Sequence, residues 1–208
     1  RYTTASNPLM HMSANEGSLF HIYEHEGTKY LAVEGPPSIS RSDEKNWRLI
    51  PSTAIGSGFQ WNDADGDGRV EENEKAPVGT LQSSFYVSHV DAAFDHYFIH
   101  RSPTACEVRR LPVTGWNARG APVYAAESEV YAQCPDRFRQ GVTDPRWGAF
   151  LFHDAASGAL FAALNPGTAD WCLSGDSFVQ QWTPSAAVGW SAGELGPSPM
   201  VHERYTPT

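Results

Sequence analysis

The chain has 208 residues, of which 40% are hydrophobic and 19% charged, so it can bury a core and is too apolar for a disordered tail. Its formal net charge of −9 argues against nucleic acid as a partner, because phosphate contacts require clustered lysine and arginine. No apolar run approaches the roughly 20 residues that span a bilayer. The 18 glycines and 15 prolines disfavour long helices, and 12% aromatic residues favour β-sheet packing.

Three pairs of short apolar runs, each separated by a turn signal, predict β-hairpins. The paired runs are 19–23 with 29–33, 85–87 with 97–100, and 150–154 with 160–164. A further strand is predicted at 121–124, whereas 34–47 and 101–120 are predicted to be irregular connections. The chain is therefore expected to be all-β, with antiparallel sheets.

A loose repeat suggests how these sheets are arranged. Gly17, Gly79 and Gly148 each open a stretch of roughly 60–70 residues that contains strands and a tryptophan-bearing segment. Repetition on that scale predicts a β-propeller-like array over residues 1–192. Residues 193–208, which contain three prolines, are expected to form an extended C-terminal tail.

The most specific pattern is an acidic loop at residues 63–74. Its acids follow the D-x-[DN]-x-[DN]-G-x5-E pattern of calcium loops, with Gly68 at the sixth position, where the backbone must turn sharply. Calcium needs six to eight hard oxygen ligands, and acids on alternate residues converge on one point as the chain coils. The predicted ligands are Asp63, Asp65, Asp67, the Arg69 carbonyl, Glu71 and Glu74.

The residues flanking this loop indicate what kind of site it is. Pro51, Gly56 and Gly58 precede it and disfavour an entering helix, and Pro77 allows only one helical turn after it. A paired calcium sensor or a dockerin-type module would need a second loop, and the sequence contains none. A lone loop in a β context is expected to fix local structure, with an affinity in the extracellular range of about 10⁻⁴–10⁻³ M.

Three segments resemble a known family. Residues 61–68 with Glu74 resemble the W-x-D-x-[ND]-G-D-G…E insert of large secreted bacterial β-propeller proteins. Residues 115–124 resemble the G-x-P-V-Y strand start of that group, and residues 154–160 resemble its hairpin turns. The resemblance implies an exported propeller, secreted or periplasmic, with a calcium loop inserted in one blade.

The length of the chain leaves the number of blades open. At roughly 45–65 residues per blade, 208 residues make three or four blades, and propellers close with four to eight. The alternatives are a four-bladed ring, a piece of a larger ring, and one chain of a ring that another protein chain completes.

The histidines offer no local metal pair. His21 and His25, like His96 and His100, are four residues apart within strand-like runs, where that spacing corresponds to about 13 Å. Neither pair can therefore share an ion. Ligands assembled from different blades remain an alternative.

The densest mixed cluster outside the calcium loop contains Asp91, Asp95, His96, His100 and Arg101. Asp95 with His96 could act as a base and its orienting partner, but a polar hairpin rim is the favoured interpretation. No nucleophile or nucleotide-binding motif occurs, so no catalytic residue is assigned.

The three cysteines, Cys106, Cys134 and Cys172, leave two alternatives open. One disulfide can form if the chain is exported, or the thiols are buried structural residues. The odd number leaves at least one thiol unpaired within the chain.

Taken together, these features predict a calcium-binding exported module, structural or binding, within a larger extracellular assembly. The alternative is an extracellular polymer-degrading enzyme, a polysaccharide hydrolase or lyase, with its site on the loop face of the propeller. A carbohydrate ligand is compatible with both, because exposed tryptophans stack on sugar rings.

Overall fold

A computed structural model describes residues 20–34, 38–56, 58–79, 88–101, 104–134, 149–154, 156–164 and 178–192. Within these ranges the chain forms antiparallel strands and a single-turn 3₁₀ helix at Glu72–Glu74, which confirms the all-β class. The same ranges contain no helix with the length and apolar character needed to cross a bilayer. The strands are β1 Phe20–His25, β2 Thr28–Val33, β3 Ser38–Asp43, β4 Arg48–Gly56, β5 Phe59–Asn62, β6 Lys75–Pro77, β7 Ser88–Val90, β8 His96–Arg101, β9 Cys106–Leu111, β10 Val113–Trp116, β11 Pro122–Tyr124, β12 Glu129–Gln133, β13 Ala149–Asp154, β14 Ala159–Leu164, β15 Phe178–Trp182 and β16 Val188–Ala192.

The strands form three sheets and one additional hairpin. The first sheet has the order β1-β2-β3-β4-β5-β6, the second β12-β9-β8-β7, and the third β13-β14-β15-β16. In the chain, the β10–β11 hairpin lies between β9 and β12, which are neighbouring strands of the second sheet. The three sheets begin 68 and 61 residues apart, at Phe20, Ser88 and Ala149, which agrees with the repeat expected from the sequence.

The second sheet packs between the other two. In β8, Tyr97 and Ile99 join a core that includes Leu160 and Trp182 of the third sheet. Phe98 points to the opposite face and joins a core with residues of the first sheet. Burial on both faces explains the consecutive apolar run Tyr97–Ile99 in the middle of β8, as in strands of inner layers.

Two of the three hairpins expected from the sequence are present, as β1–β2 and β13–β14. For the other one, the predicted run at 97–100 lies in β8, which pairs with β7 at Ser88–Val90. The strand expected at 121–124 is β11. Residues 85–87, which belonged to the second predicted hairpin, lie outside the described ranges.

The prediction of irregular connections at 34–47 and 101–120 is wrong, because these stretches contain β3, β9 and β10. β3 was not recognised in the sequence because Ile39 is its only apolar residue. Ser38 and Ser40 are buried beside it, so small hydroxyl side chains occupy core positions that an apolar pattern would not reveal.

Two of the predicted features can be located only in part. Cys106 and Cys134 lie buried in the core between the second and third sheets, where the Cys134 amide donates to the Cys106 carbonyl at 2.9 Å. Cys172 and the predicted tail at 193–208 lie outside the described residues. The described sheets do not close into a ring.

Candidate metal centre

The acidic loop is mounted directly on the first sheet. β5 ends at Asn62, one residue before the loop, and the 3₁₀ helix Glu72–Glu74 ends it, so no helix enters and one turn follows, as expected from the sequence. Trp61 is fully buried in β5, and the Asp63 amide donates to the Ser52 carbonyl of β4 at 2.9 Å. The first predicted ligand is therefore held by the sheet itself.

Three of the predicted ligands meet at one point. Asp63, Asp65 and Asp67 each offer a carboxylate oxygen, and these oxygens lie within 4.8 Å of one another. Asp63 is fully buried, and its Oδ1 accepts the amides of Gly66 at 2.9 Å and Gly68 at 3.2 Å. The loop amides thus curl around the first acid, and the other two acids remain exposed to solvent.

Both loop glycines adopt positive φ angles, +93° at Gly66 and +73° at Gly68. A Cβ at Gly68 would lie 3.1 Å from Ile50 Cγ2 and 3.1 Å from Pro51 Cδ. The sixth position therefore requires glycine both for its backbone conformation and for its close approach to β4.

The carboxylates of Glu71 and Glu74 are not part of this group. Glu74 Oε2 accepts the Trp61 indole N–H at 2.6 Å, and its Oε1 accepts the Ala64 amide at 2.7 Å. The Arg69 side chain lies 3.7 Å from Asp67, and Glu71 is exposed. Glu74 thus closes the loop through hydrogen bonds.

Two side chains fasten the loop to neighbouring segments. Asn117, in the turn between β10 and β11, donates to the Asp63 carbonyl at 2.8 Å. Arg41 of β3 donates to Asp63 Oδ2 at 3.3 Å, to the Gly66 carbonyl at 3.1 Å, and to the Arg119 carbonyl. The loop therefore lies at the junction of the first sheet and the β10–β11 hairpin.

Burial raises the pKa of Asp63 above its ordinary value of 3.8. The amides of Gly68 and Gly66 and the Arg41 guanidinium oppose this rise, whereas the Glu74 carboxylate adds to it. The rise therefore comes mainly from the removal of the Asp63 carboxylate from solvent.

A cleft of 310 Å³ lies beside the loop, between the first sheet and the β10–β11 turn. Arg41, Arg119 and Trp116 line it, together with Tyr30. One face of the Trp116 ring is covered by His25, stacked with a centroid distance of 3.8 Å.

The expected polar rim around Asp91 and Asp95 is not found, because both residues are buried. Asp95 accepts two hydrogen bonds from Arg110 on Oδ2 and the Val113 amide on Oδ1. Burial, with a contribution from His89, lowers the pKa of the fully buried His96 to about 3. Asp95 therefore anchors the second sheet to β10, and neither residue forms an accessible acid–base pair.

A second cluster was missed by the sequence analysis. His21 Nε2 and His89 Nδ1 lie 2.8 Å and 2.7 Å from the same oxygen, Glu34 Oε1. His153, in the third sheet, pairs with Asp91 at 2.8 Å. The available signal was the recurrence of histidine in the first strand of each sheet, at positions 21, 89 and 153, although β1 carries a second one, His25.

Comparisons of the chain with protein-family models, with curated proteins and with solved structures found no match, so the function must be inferred from its own residues.

Proposed function

We propose that the chain is a calcium-stabilised structural or binding module in which residues 63–74 hold one Ca²⁺. The observation that carries this proposal is the convergence of three acids at loop positions 1, 3 and 5. The carboxylate oxygens of Asp63, Asp65 and Asp67 lie within 4.8 Å of one another. The proposed ligand set also includes the Arg69 carbonyl, Glu71 and Glu74, which reach the ion by a local rearrangement of the last turn.

The electrostatics of the loop favour a cation. Three carboxylates at this separation repel one another. Arg41 contacts Asp63 and the exposed Arg69 lies 3.7 Å from Asp67, so the two guanidinium groups leave an excess negative charge on the three acids. A divalent ion would neutralise this excess negative charge and would be coordinated by the exposed carboxylates of Asp65 and Asp67. Because Asn117 and Arg41 link the loop to the β10–β11 hairpin, calcium would stabilise that junction as well.

The wider proposal is an exported, propeller-like module within a larger extracellular assembly. Three antiparallel sheets packed in series support it, as do apolar side chains that remain exposed on the two outer sheets. Phe20 and Ile22 of the first sheet are 60% and 66% exposed, and Val188 of the third is 60% exposed. Such faces fit a further blade or a partner chain.

The geometry supports the enzyme alternative less well. Asp95, the candidate base, is occupied by Arg110 and the Val113 amide, and His96 is fully buried. The cleft lined by Arg41, Arg119 and Trp116 offers a place for a carbohydrate ligand, which stays a prediction.

Thermal unfolding with and without calcium tests the proposal. A ligand that binds only the folded state stabilises it by RT ln(1 + [L]/Kd). For dissociation constants of about 10⁻⁴–10⁻³ M and about 10 mM Ca²⁺, this amounts to about 1.4–2.7 kcal/mol. For a chain of this size the unfolding midpoint should rise by about 3–11 °C over that in EDTA.

Two single variants within the loop provide the matched comparison. Asp65→Asn removes one charge at a ligand position, and Glu72→Gln removes one charge at position 10, which is not a ligand position. We expect the calcium-induced shift to shrink in Asp65→Asn and to persist in Glu72→Gln. Equal midpoints of the wild-type chain in calcium and in EDTA would contradict the proposal.

A further inference from the structure

We propose a second metal site, for Zn²⁺ or a similar transition-metal dication, formed by His21 Nε2, Glu34 Oε1 and His89 Nδ1. The three atoms lie within 4.8 Å of one another and come from β1, the residue after β2, and β7. The site thus joins the first and second sheets and is independent of the calcium loop, which contributes no residue to it.

The distances fit a zinc site after a small adjustment. Zinc bonds of about 2.0–2.1 Å in a tetrahedral site place ligand atoms about 3.3 Å apart. The two histidine nitrogens lie 2.8 Å and 2.7 Å from Glu34 Oε1, in hydrogen bonds that metal binding would replace. The two separations must therefore widen by about 0.5 and 0.6 Å, which a small side-chain rotation achieves.

The donor types select the class of ion. Two imidazoles and one carboxylate suit zinc and its neighbours in the first transition row, whereas calcium prefers oxygen donors alone. Three protein ligands leave the fourth position of a tetrahedral ion for water or a ligand oxygen.

The charge balance of the cluster also favours a cation. Glu34 is 8% exposed, and within the described residues its carboxylate forms ion pairs only with His21 and His89. Neutral histidines would leave this buried carboxylate uncompensated, which is costly in a low-dielectric environment.

The packing around the cluster holds its parts in place. The Tyr23 hydroxyl donates to the Val90 carbonyl at 2.7 Å and fastens β1 to β7 beside the ligands. The His21 ring stacks on Tyr23, and the His89 ring packs against Phe152 at 5.4 Å. The His21 side chain is 28% exposed, so an ion can reach the site from solvent.

The test is a calorimetric titration of the chelator-treated full chain with Zn²⁺, carried out in saturating calcium to occupy the acidic loop. Co²⁺ provides the spectroscopic probe, because its visible bands distinguish tetrahedral from octahedral coordination. We expect one equivalent of Zn²⁺ and the strong bands of tetrahedral Co²⁺ without a thiolate charge-transfer band.

The matched variants lie on the same face of β1. His21→Gln removes a ligand, whereas His25→Gln changes a histidine four residues away that stacks on Trp116. Changes of residues that only contact metal ligands lower metal affinity about 10–100-fold. Loss of a direct ligand should therefore weaken Zn²⁺ binding by at least about 100-fold. Glu34→Gln should do the same, and His25→Gln should bind as the wild type does.

Several results would overturn the proposal. These are the absence of a stoichiometric Zn²⁺ equivalent, equal affinity in the wild type and His21→Gln, and octahedral or thiolate-ligated Co²⁺ in the wild type. Should His21→Gln and Glu34→Gln fail to fold, the wild-type stoichiometry and Co²⁺ spectrum decide alone. The calcium proposal has a separate readout, so either proposal can fail while the other stands.

Discussion

Replacing Gly68 by alanine should destabilise the chain by more than a simple loop substitution does. At φ +73° an L-residue pays about 1–2 kcal/mol relative to glycine. The new Cβ would also lie 3.1 Å from Ile50 Cγ2 and Pro51 Cδ, and the proline ring cannot rotate away. Overpacking of this kind costs about 1–3 kcal/mol, so the total loss should be about 2–5 kcal/mol.

Gly66 offers a control within the same loop. Its φ of +93° imposes a similar backbone penalty, but the nearest atom to its Cβ is Arg119 Cδ at 3.4 Å, on a flexible side chain. Gly66→Ala should therefore lose only about 1–2 kcal/mol. Urea unfolding in EDTA isolates these costs, and repetition in calcium adds the effect on metal binding.

The difference between the two variants is the informative quantity. If Gly68→Ala is as stable as Gly66→Ala in EDTA, the prediction that a Cβ at position 68 clashes with β4 is wrong. If Gly68→Ala matches the wild type within about 0.5 kcal/mol, the backbone argument is wrong as well.

Three further predictions concern the core, a buried ion pair and the response to pH. Leu160→Ala, at the interface of the second and third sheets, should cost about 2–5 kcal/mol in urea unfolding, and a loss under about 1 kcal/mol would contradict the described packing. Arg110→Met leaves the buried Asp95 carboxylate without two of its hydrogen bonds and should cost about 1–3 kcal/mol, whereas unchanged stability would show that the pair is dispensable. Because the pKa of Asp63 is raised, the metal-free folded state binds protons more tightly than the unfolded state at this residue. Relative to Asp63→Asn, wild-type stability in EDTA should thus fall as pH rises from 3.8 through the raised pKa, and an increase across that window would contradict the burial of Asp63.

The sequence predicted the local features of the fold well. The β1–β2 and β13–β14 hairpins follow from apolar runs around Gly27 and Gly158, both of which adopt positive φ. The acidic loop was predictable because its acids, its glycines and its turn lie within twelve consecutive residues. In such segments the interactions that fix the structure are between near neighbours in the chain.

Features created by packing between sheets were not predictable. β3 was missed because buried serines occupy its core positions. Asp95 was expected at an exposed rim, but Arg110, fifteen residues away in the chain, makes its burial tolerable. In the group of His21, Glu34 and His89 the two histidines are 68 positions apart in the chain, and the group forms only when the first two sheets meet.

The most direct test of the account is Tb³⁺ luminescence of the full chain under tryptophan excitation. Tb³⁺ occupies calcium sites, and Trp61, whose indole N–H binds Glu74, lies close enough to the loop to transfer energy to it. Calcium binding by residues 63–74 predicts sensitised emission that Ca²⁺ abolishes by competition and that is much weaker in an Asp65→Asn/Asp67→Asn variant. Emission that is equal in the wild type and in this variant, or that Ca²⁺ does not displace, would contradict calcium binding by residues 63–74.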